Sequence, residues 1–174
     1  MKILIVQNKM GIGDMVIYLP FINAISKKFN TPVNILVKES SKAEKILKDD
    51  KSIDKIIILK QGNKQKNAEH QGFKGFFKLV RELKEYKFDK IFIFNSSLRF
   101  NLIAKFAGIK NVYQYPLFDK KEQNIIDAPK KLLKKKLNID IQENPKIFLN
   151  EKSIFEAKLK FRIKNDEKNI LLDI

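Results

Sequence analysis

The sequence contains no cysteine and no tryptophan, one histidine (His70) and three arginines (Arg81, Arg99 and Arg162). Without cysteine there is no disulfide and no thiolate metal site, a pattern that agrees with a reducing compartment. A single histidine leaves zinc chemistry without its usual ligands. No apolar run reaches the roughly 18 residues that a membrane span needs. The N-terminus reads as a strand rather than as a charged segment followed by an apolar one. These absences lead us to expect a cytoplasmic protein with neither an export signal nor a membrane span.

Acidic residues are also in short supply. Against 20 Asp and Glu stand 36 Lys and Arg, a formal net charge of +16 over 174 residues. Such an excess raises the local concentration of polyanions. The lysines, however, are spread through the chain together with much Ile, Asn and Phe, a composition that suggests AT-rich coding. Readers of phosphates and bases favour the bidentate fork of arginine, which is scarce here. A solvated lysine surface is therefore the preferred account, attraction to an anionic membrane the second, and specific nucleic-acid binding a distant third.

What is present is a regular alternation of apolar runs and helical periodicities, in a chain long enough for one domain with a substantial core. Strands are expected at residues 2–7, 33–37, 53–59, 88–94 and 111–115. Helices are expected at 40–48, 73–86 and 98–107, the last ended by Gly108. Between residues 14 and 29, Pro20 predicts a short first turn at 14–19 and a main helix starting near the proline. Residues 60–72 read as a polar loop with His70 exposed in it. Phe76, Phe77, Val80 and Leu83 are expected to form the buried stripe of the helix that follows. Alternating strands and helices with right-handed crossovers make a doubly wound, Rossmann-like parallel α/β sheet.

Beyond Pro116 the pattern changes. Residues 125–137 read as a lysine-rich amphipathic helix, 144–149 as a short extended segment, 152–163 as a helix, and 169–174 as a fresh strand. We expect residues 1–140 to form the Rossmann-like domain and 141–174 to be a linker helix with the first strand of a further, missing domain.

The segment most informative about chemistry is Gln7 to Phe21, where a buried strand delivers Gly11-Ile-Gly-Asp14 at its C-terminal end, the edge at which open α/β sheets bind ligands. Glycines there permit close backbone approach, and helix N-terminal amides favour a negative group nearby. A dinucleotide fingerprint requires glycine where Val16 stands, and no Gly-Lys-Ser/Thr follows to make a phosphate-binding P-loop. Asp14 has two readings: helix capping, or a carboxylate at the mouth of a cleft that takes a proton from an attacking sugar hydroxyl.

Lys2-Ile-Leu-Ile-Val, Gly11-Ile-Gly-Asp-Met-Val and Leu19-Pro20-Phe21, then Phe88-Asp-Lys-Ile through Phe94-Asn-Ser-Ser-Leu-Arg99, Leu102 to Gly108 and finally Asn169-Ile-Leu-Leu-Asp-Ile, resemble in order and spacing the heptosyltransferases of glycosyltransferase family 9. The resemblance implies the N-terminal, acceptor-side half of a GT-B fold. It further implies an enzyme that transfers heptose with inversion from ADP-heptose to a lipid-linked saccharide acceptor of the lipopolysaccharide core, without metal or other cofactor. By that likeness Asp14 is the general base, Gly11 and Gly13 shape the acceptor loop, and Ser96, Ser97 and Arg99 contact the acceptor. For the last three, a capping serine and a solvated arginine are equally good readings. Asn8-Lys9-Met10 departs from the small hydroxyl residues common in relatives, which leaves the acceptor or the local geometry open. The donor-binding half is missing, so the chain is expected to be truncated and inactive alone.

Other features carry less. His70 has a small chance of touching the acceptor, and Phe73, Phe76 and Phe77 fit a helical core face. Lys130, Lys131, Lys134, Lys135 and Lys136 form a wet helix face or, alternatively, a peripheral contact with an anionic membrane at the inner face of the cytoplasmic membrane. The rival to an enzyme half is a stand-alone Rossmann-like binding module that catalyses nothing.

Overall fold

The computed structural model describes residues 1–9, 11–62, 68–116 and 124–163. Five strands, β1 (Ile3–Gln7), β2 (Val33–Lys38), β3 (Ile53–Leu59), β4 (Lys90–Ile93) and β5 (Asn111–Gln114), form one sheet in the order β3-β2-β1-β4-β5, every pair parallel. Helices α1 (Ile12–Phe29), α2 (Ala43–Ile46), α3 (Gly72–Tyr86), α4 (Leu98–Phe106), α5 (Asp127–Leu137) and α6 (Glu151–Phe161) connect or follow them. The architecture is the doubly wound α/β arrangement that the alternation of elements predicts.

The central strands β1, β2 and β4 are buried on both faces and read as largely apolar runs, whereas the edge strands β3 and β5 are only partly buried. Ile3 and Ile5 of β1, with Phe92 and Phe94 further across the sheet, pack under α1 and α5 against Met15, Leu19, Ile22, Ile25, Leu132 and Leu133. Leu4, Val6, Ile91 and Ile93 face the other way, against Leu79 and Leu83 of α3 and Phe100 and Ile103 of α4. The crossovers before β3 thus lie on one face and those after it on the other. The reversal falls between β1 and β4, the topological switch point at which such sheets hold ligands.

Several expectations need correction. Helix α1 runs unbroken from residue 12 to 29 with Pro20 inside it. The roughly 3 kcal/mol that an interior proline costs is outweighed by the burial of eight of the helix's residues on the sheet. The helix expected at 40–48 is split, because Lys42 adopts a left-handed conformation between a 3-10 turn (Glu39–Ser41) and α2, although Ala43 and Leu47 do face inward. Residues 144–149, expected as a short extended segment, are exposed and form neither helix nor strand. Leu83 lies in the buried stripe of α3 as expected, with Gly75 and Leu79, and Phe76 and Val80 pack half-buried against the same core; Phe77, and Phe73 with it, is instead exposed, at 49% and 79%.

His70 is also corrected. It is buried, 3% exposed, with Nδ1 accepting from the Lys60 backbone N–H at 3.0 Å and Nε2 lying 2.9 Å from Glu82 Oε2. An accepting Nδ1 leaves the proton on Nε2, which therefore donates to the Glu82 carboxylate. The His70 backbone N–H returns a bond to the Lys60 carbonyl at 2.9 Å.

Helix α6 has no buried residue and is held to the domain by Asn150, whose amide donates to the Asp49 carboxylate at 2.9 Å, and by Lys48 donating to Ser153. The strand expected at 169–174 lies outside the described residues.

Candidate active site at the sheet's switch point

The C-terminal ends of β1 and β4 each deliver a short loop into the start of a helix, and these two loops meet. The Asn95 side-chain amide donates to Asn8 Oδ1 at 3.1 Å. Asn95 Oδ1 in turn accepts the Ser97 backbone N–H at 2.9 Å, satisfying one of the amides that the start of α4 leaves unpaired. From β5, Gln114 Nε2 donates to the Asn95 and Ser97 carbonyls at 3.1 and 2.9 Å, while its Oε1 accepts from Asn101. Three strand ends are thereby locked at one edge by side-chain amides.

Gly11 precedes α1 with φ 107°, a conformation that L side chains rarely adopt. Gly13 is the second residue of the helix, and a Cβ at either glycine would meet nothing within 4 Å. Among the described residues nothing crowds the start of α1, whose first backbone N–H groups have no partner within the helix. Asp14 follows as the third helical residue, partly exposed, and α1 has no side-chain capping bond. No salt bridge to Asp14 is present among the described residues. The helix dipole favours a carboxylate there, and the N-cap itself, Gly11, has no side chain with which to cap the helix. Its charge reaches Tyr18, one turn on: burial chiefly, and Asp14 in addition, push the Tyr18 phenol above its ordinary pKa.

Ser97 occupies the N-cap position of α4 without a side-chain capping bond, and Ser96 beside it is exposed. Arg99 turns back from the helix start: Nη1 donates to the Gly72 carbonyl at 3.0 Å, Nη2 to the His70 carbonyl at 2.8 Å, and the guanidinium lies 5.6 Å from the centre of the Phe76 ring. It ties the start of α4 to the start of α3. The six residues singled out by sequence thus fall on two neighbouring helix starts, Gly11, Gly13 and Asp14 on one and Ser96, Ser97 and Arg99 on the other.

Sequence reasoning passed over the groups that brace this edge. Gln7, the last residue of β1, is fully buried, and neither its Oε1 nor its Nε2 has a hydrogen-bond partner. The alternation of β1 puts it on the α1 side, behind the site. The Tyr115 hydroxyl is buried beside that of Tyr18 without a hydrogen bond of ordinary geometry, and burial raises its pKa well beyond the usual tyrosine value. A glutamine ending an otherwise apolar strand was the one signal available. Among the described residues, no cluster of acidic residues and histidines is arranged to hold a metal ion.

No protein-family model and no curated sequence matches this chain. Solved structures do. A glycosyltransferase of family 9 from Veillonella parvula DSM 2008 superposes with a TM-score of 0.64 at 15% identity, over 95% of this chain and 51% of that one. E. coli ADP-heptose lipopolysaccharide heptosyltransferase II gives 0.60 at 14%, over 95% and 52%. The E. coli heptosyltransferase WaaC, solved with ADP-2-deoxy-2-fluoro heptose, gives 0.53 at 13%, over 83% and 51%. The chain spans about half the length of each of these structures, and what it shares with that half is the glycosyltransferase-type, Rossmann-like α/β fold.

Proposed function

We propose that this chain is the acceptor-side half of a heptosyltransferase-like glycosyltransferase of lipopolysaccharide synthesis, with Asp14 as its general base. The observation that carries the reading is a carboxylate without a salt bridge at a glycine-flanked helix start beside the β1/β4 switch point. Likeness in fold to heptosyltransferases supports it.

In this reading the acceptor saccharide lies over Gly11 and Gly13, where no side chain obstructs it. The Asp14 carboxylate accepts the proton of one acceptor hydroxyl, and that oxygen forms the new bond to the anomeric carbon of heptose as the bond to ADP breaks. The configuration at that carbon inverts. Ser96 and Ser97 offer hydroxyls to the acceptor. Arg99 fixes the geometry of the second loop and has further N–H groups for an acceptor phosphate. The ADP-heptose donor needs contacts from a second, donor-binding unit, and stabilising the departing diphosphate is the larger electrostatic task. Residues 141–163 lead towards that unit, and residues 1–140 are the acceptor domain. The expected setting is the inner face of the cytoplasmic membrane, where a lipid-linked acceptor is found.

The test is heptose transfer from ADP-heptose to a core-oligosaccharide acceptor, comparing the chain alone with the chain joined to a donor-binding domain. Transfer confined to the joined form supports the proposal. Saccharide binding without transfer in either form identifies a binding module instead.

A further inference from the structure

His70, the only histidine of the chain, is buried where three elements meet. Its Nδ1 accepts the backbone N–H of Lys60, just past the end of β3, at 3.0 Å, and its Nε2–H donates to Glu82 of α3 at 2.9 Å. Its backbone carbonyl accepts from Arg99 Nη2, at the start of α4, at 2.8 Å, and the Gly72 carbonyl holds Nη1 of the same guanidinium at 3.0 Å. The ring and the arginine are therefore tied to one short stretch of backbone. That stretch lies hard against α3, since a Cβ on Gly75 would meet the His70 carbonyl carbon at 2.3 Å. A displaced ring cannot be absorbed by movement towards that helix.

The arrangement suits one protonation state of the ring. A neutral imidazole with its proton on Nε2 satisfies both nitrogens. A protonated ring donates from both, so Nδ1–H meets the Lys60 N–H as donor against donor, and a buried N–H loses its acceptor. Histidine is the side chain whose charge ordinarily changes between about pH 5 and 8.

The charges around the ring pull in both directions. From α3, the Glu82 carboxylate favours the protonated form, while burial opposes it. From α4, the Arg99 guanidinium on the His70 carbonyl opposes it too. Glu69, next in the chain, is bound by the ammonium groups of Lys60 and of Lys78 on α3, and Glu39, in the turn after β2, acts on Lys60 as well.

We infer that His70 is a pH-sensitive latch on Arg99. Neutral, it keeps the His70 and Gly72 carbonyls on the guanidinium and ties the start of α4 to the start of α3. Protonated, it gives up the Lys60 N–H, the backbone at 70–72 shifts, and the guanidinium is released beside Ser96 and Ser97. A released guanidinium offers paired N–H groups to a phosphate or carboxylate, so acid raises the affinity of this edge for anions. The latch does not depend on whether the chain transfers a sugar.

The experiment is NMR titration of the full chain labelled with 15N. Long-range proton–nitrogen correlations of the one imidazole give its tautomer and its midpoint, while the Lys60 amide and the Arg99 Nε–H are followed over the same range. Two variants accompany the wild type. His70→Asn keeps an oxygen acceptor near the position of Nδ1 and cannot be protonated, and Glu82→Gln keeps an acceptor for Nε2–H but lacks the charge. The expected result is an Nε2–H tautomer at high pH. As the ring takes up its proton, the protection factor of the Lys60 amide falls at least about tenfold and the Arg99 signal moves with the same midpoint. In His70→Asn both signals stay constant through that range. In Glu82→Gln all three transitions move down together by about one pH unit, a readout that remains even if His70→Asn does not fold. The inference is overturned if the ring stays neutral down to acid unfolding, or if its neutral form carries the proton on Nδ1. It is equally overturned if Lys60 and Arg99 do not follow the ring, if their transition survives in His70→Asn, or if the three midpoints separate or stay in place in Glu82→Gln.

Discussion

Asn95 donates its side-chain amide to the Asn8 carbonyl oxygen across 3.1 Å, joining the ends of β4 and β1 where the sheet changes direction. The same side chain accepts from the Ser97 backbone N–H, so one residue sets the spacing of the two loops that carry Asp14 and Ser97. Asn95→Ala removes both bonds and is expected to lower stability by about 1–2 kcal/mol. Urea denaturation measures that loss. Asn95→Asp, which keeps the acceptor for Ser97, should recover part of it.

At Gly75, α3 packs against the backbone of residues 69 and 70. A Cβ there would lie 2.3 Å from the His70 carbonyl carbon, and backbone cannot move aside as a flexible side chain can. Gly75→Ala should therefore destabilise by at least about 2 kcal/mol, although alanine is the better helix former. His70→Ala leaves the Lys60 N–H without its buried acceptor and should cost about 1–3 kcal/mol. Thermal melts of the two variants check both values.

Gln7 makes the opposite prediction. Its amide is fully buried with no partner for either end, a state that costs more than it contributes to stability. Gln7→Met, similar in shape and apolar, should raise stability by about 1 kcal/mol in urea denaturation. Lower stability would mean that the amide is hydrogen-bonded in solution.

Glu69 reports on the loop base in acid. Hydrogen bonds from Lys60, and then from Lys78, hold its carboxyl down to about 2 from the ordinary 4.5. The folded chain thus takes up this proton less readily than the unfolded one. The contribution is complete above the ordinary carboxylate range and is lost as pH falls from about 4.5 through about 2. The carboxylate is open to solvent, so screening keeps the effect small. NMR titration should find its midpoint near 2 in the wild type, and Lys60→Met should move it up towards the ordinary value.

The central strands β1, β2 and β4 were legible because they are buried on both faces and appear as largely apolar runs, and the partly buried edge strands β3 and β5 were legible from their β-branched and aromatic residues. Their alternation with helices then left few topologies, and the ligand-binding edge followed from the fold alone. Local rules failed where packing overrode them. Pro20 sits inside α1 because the sheet beneath that helix outweighs one missing bond. The facing of α3 is set by Gly75 against the His70 backbone, a contact between residues whose partnership no periodicity reveals. His70 looked exposed because its neighbours are polar, yet its partners, Lys60 and Glu82, lie ten and twelve residues away. Gly11, Gly13 and Asp14 were visible as a motif, whereas the Asn8, Asn95 and Gln114 network behind them depends on strand order. The band of Phe73, Phe77 and Phe106 fits a core by spacing and becomes a surface only once the sheet is seen to be fully covered without it.

The most direct measurement of the central claim is the rate of heptose transfer by the chain joined to a donor-binding domain, compared with its Asp14→Asn variant. Asparagine keeps the size and polarity of the side chain and removes the proton acceptor. If Asp14 is the general base, the variant folds and binds acceptor but loses about a hundredfold or more in kcat. Transfer by Asp14→Asn within about twofold of the parent would contradict the account, because a group that takes the proton in the rate-limiting step cannot be removed so cheaply.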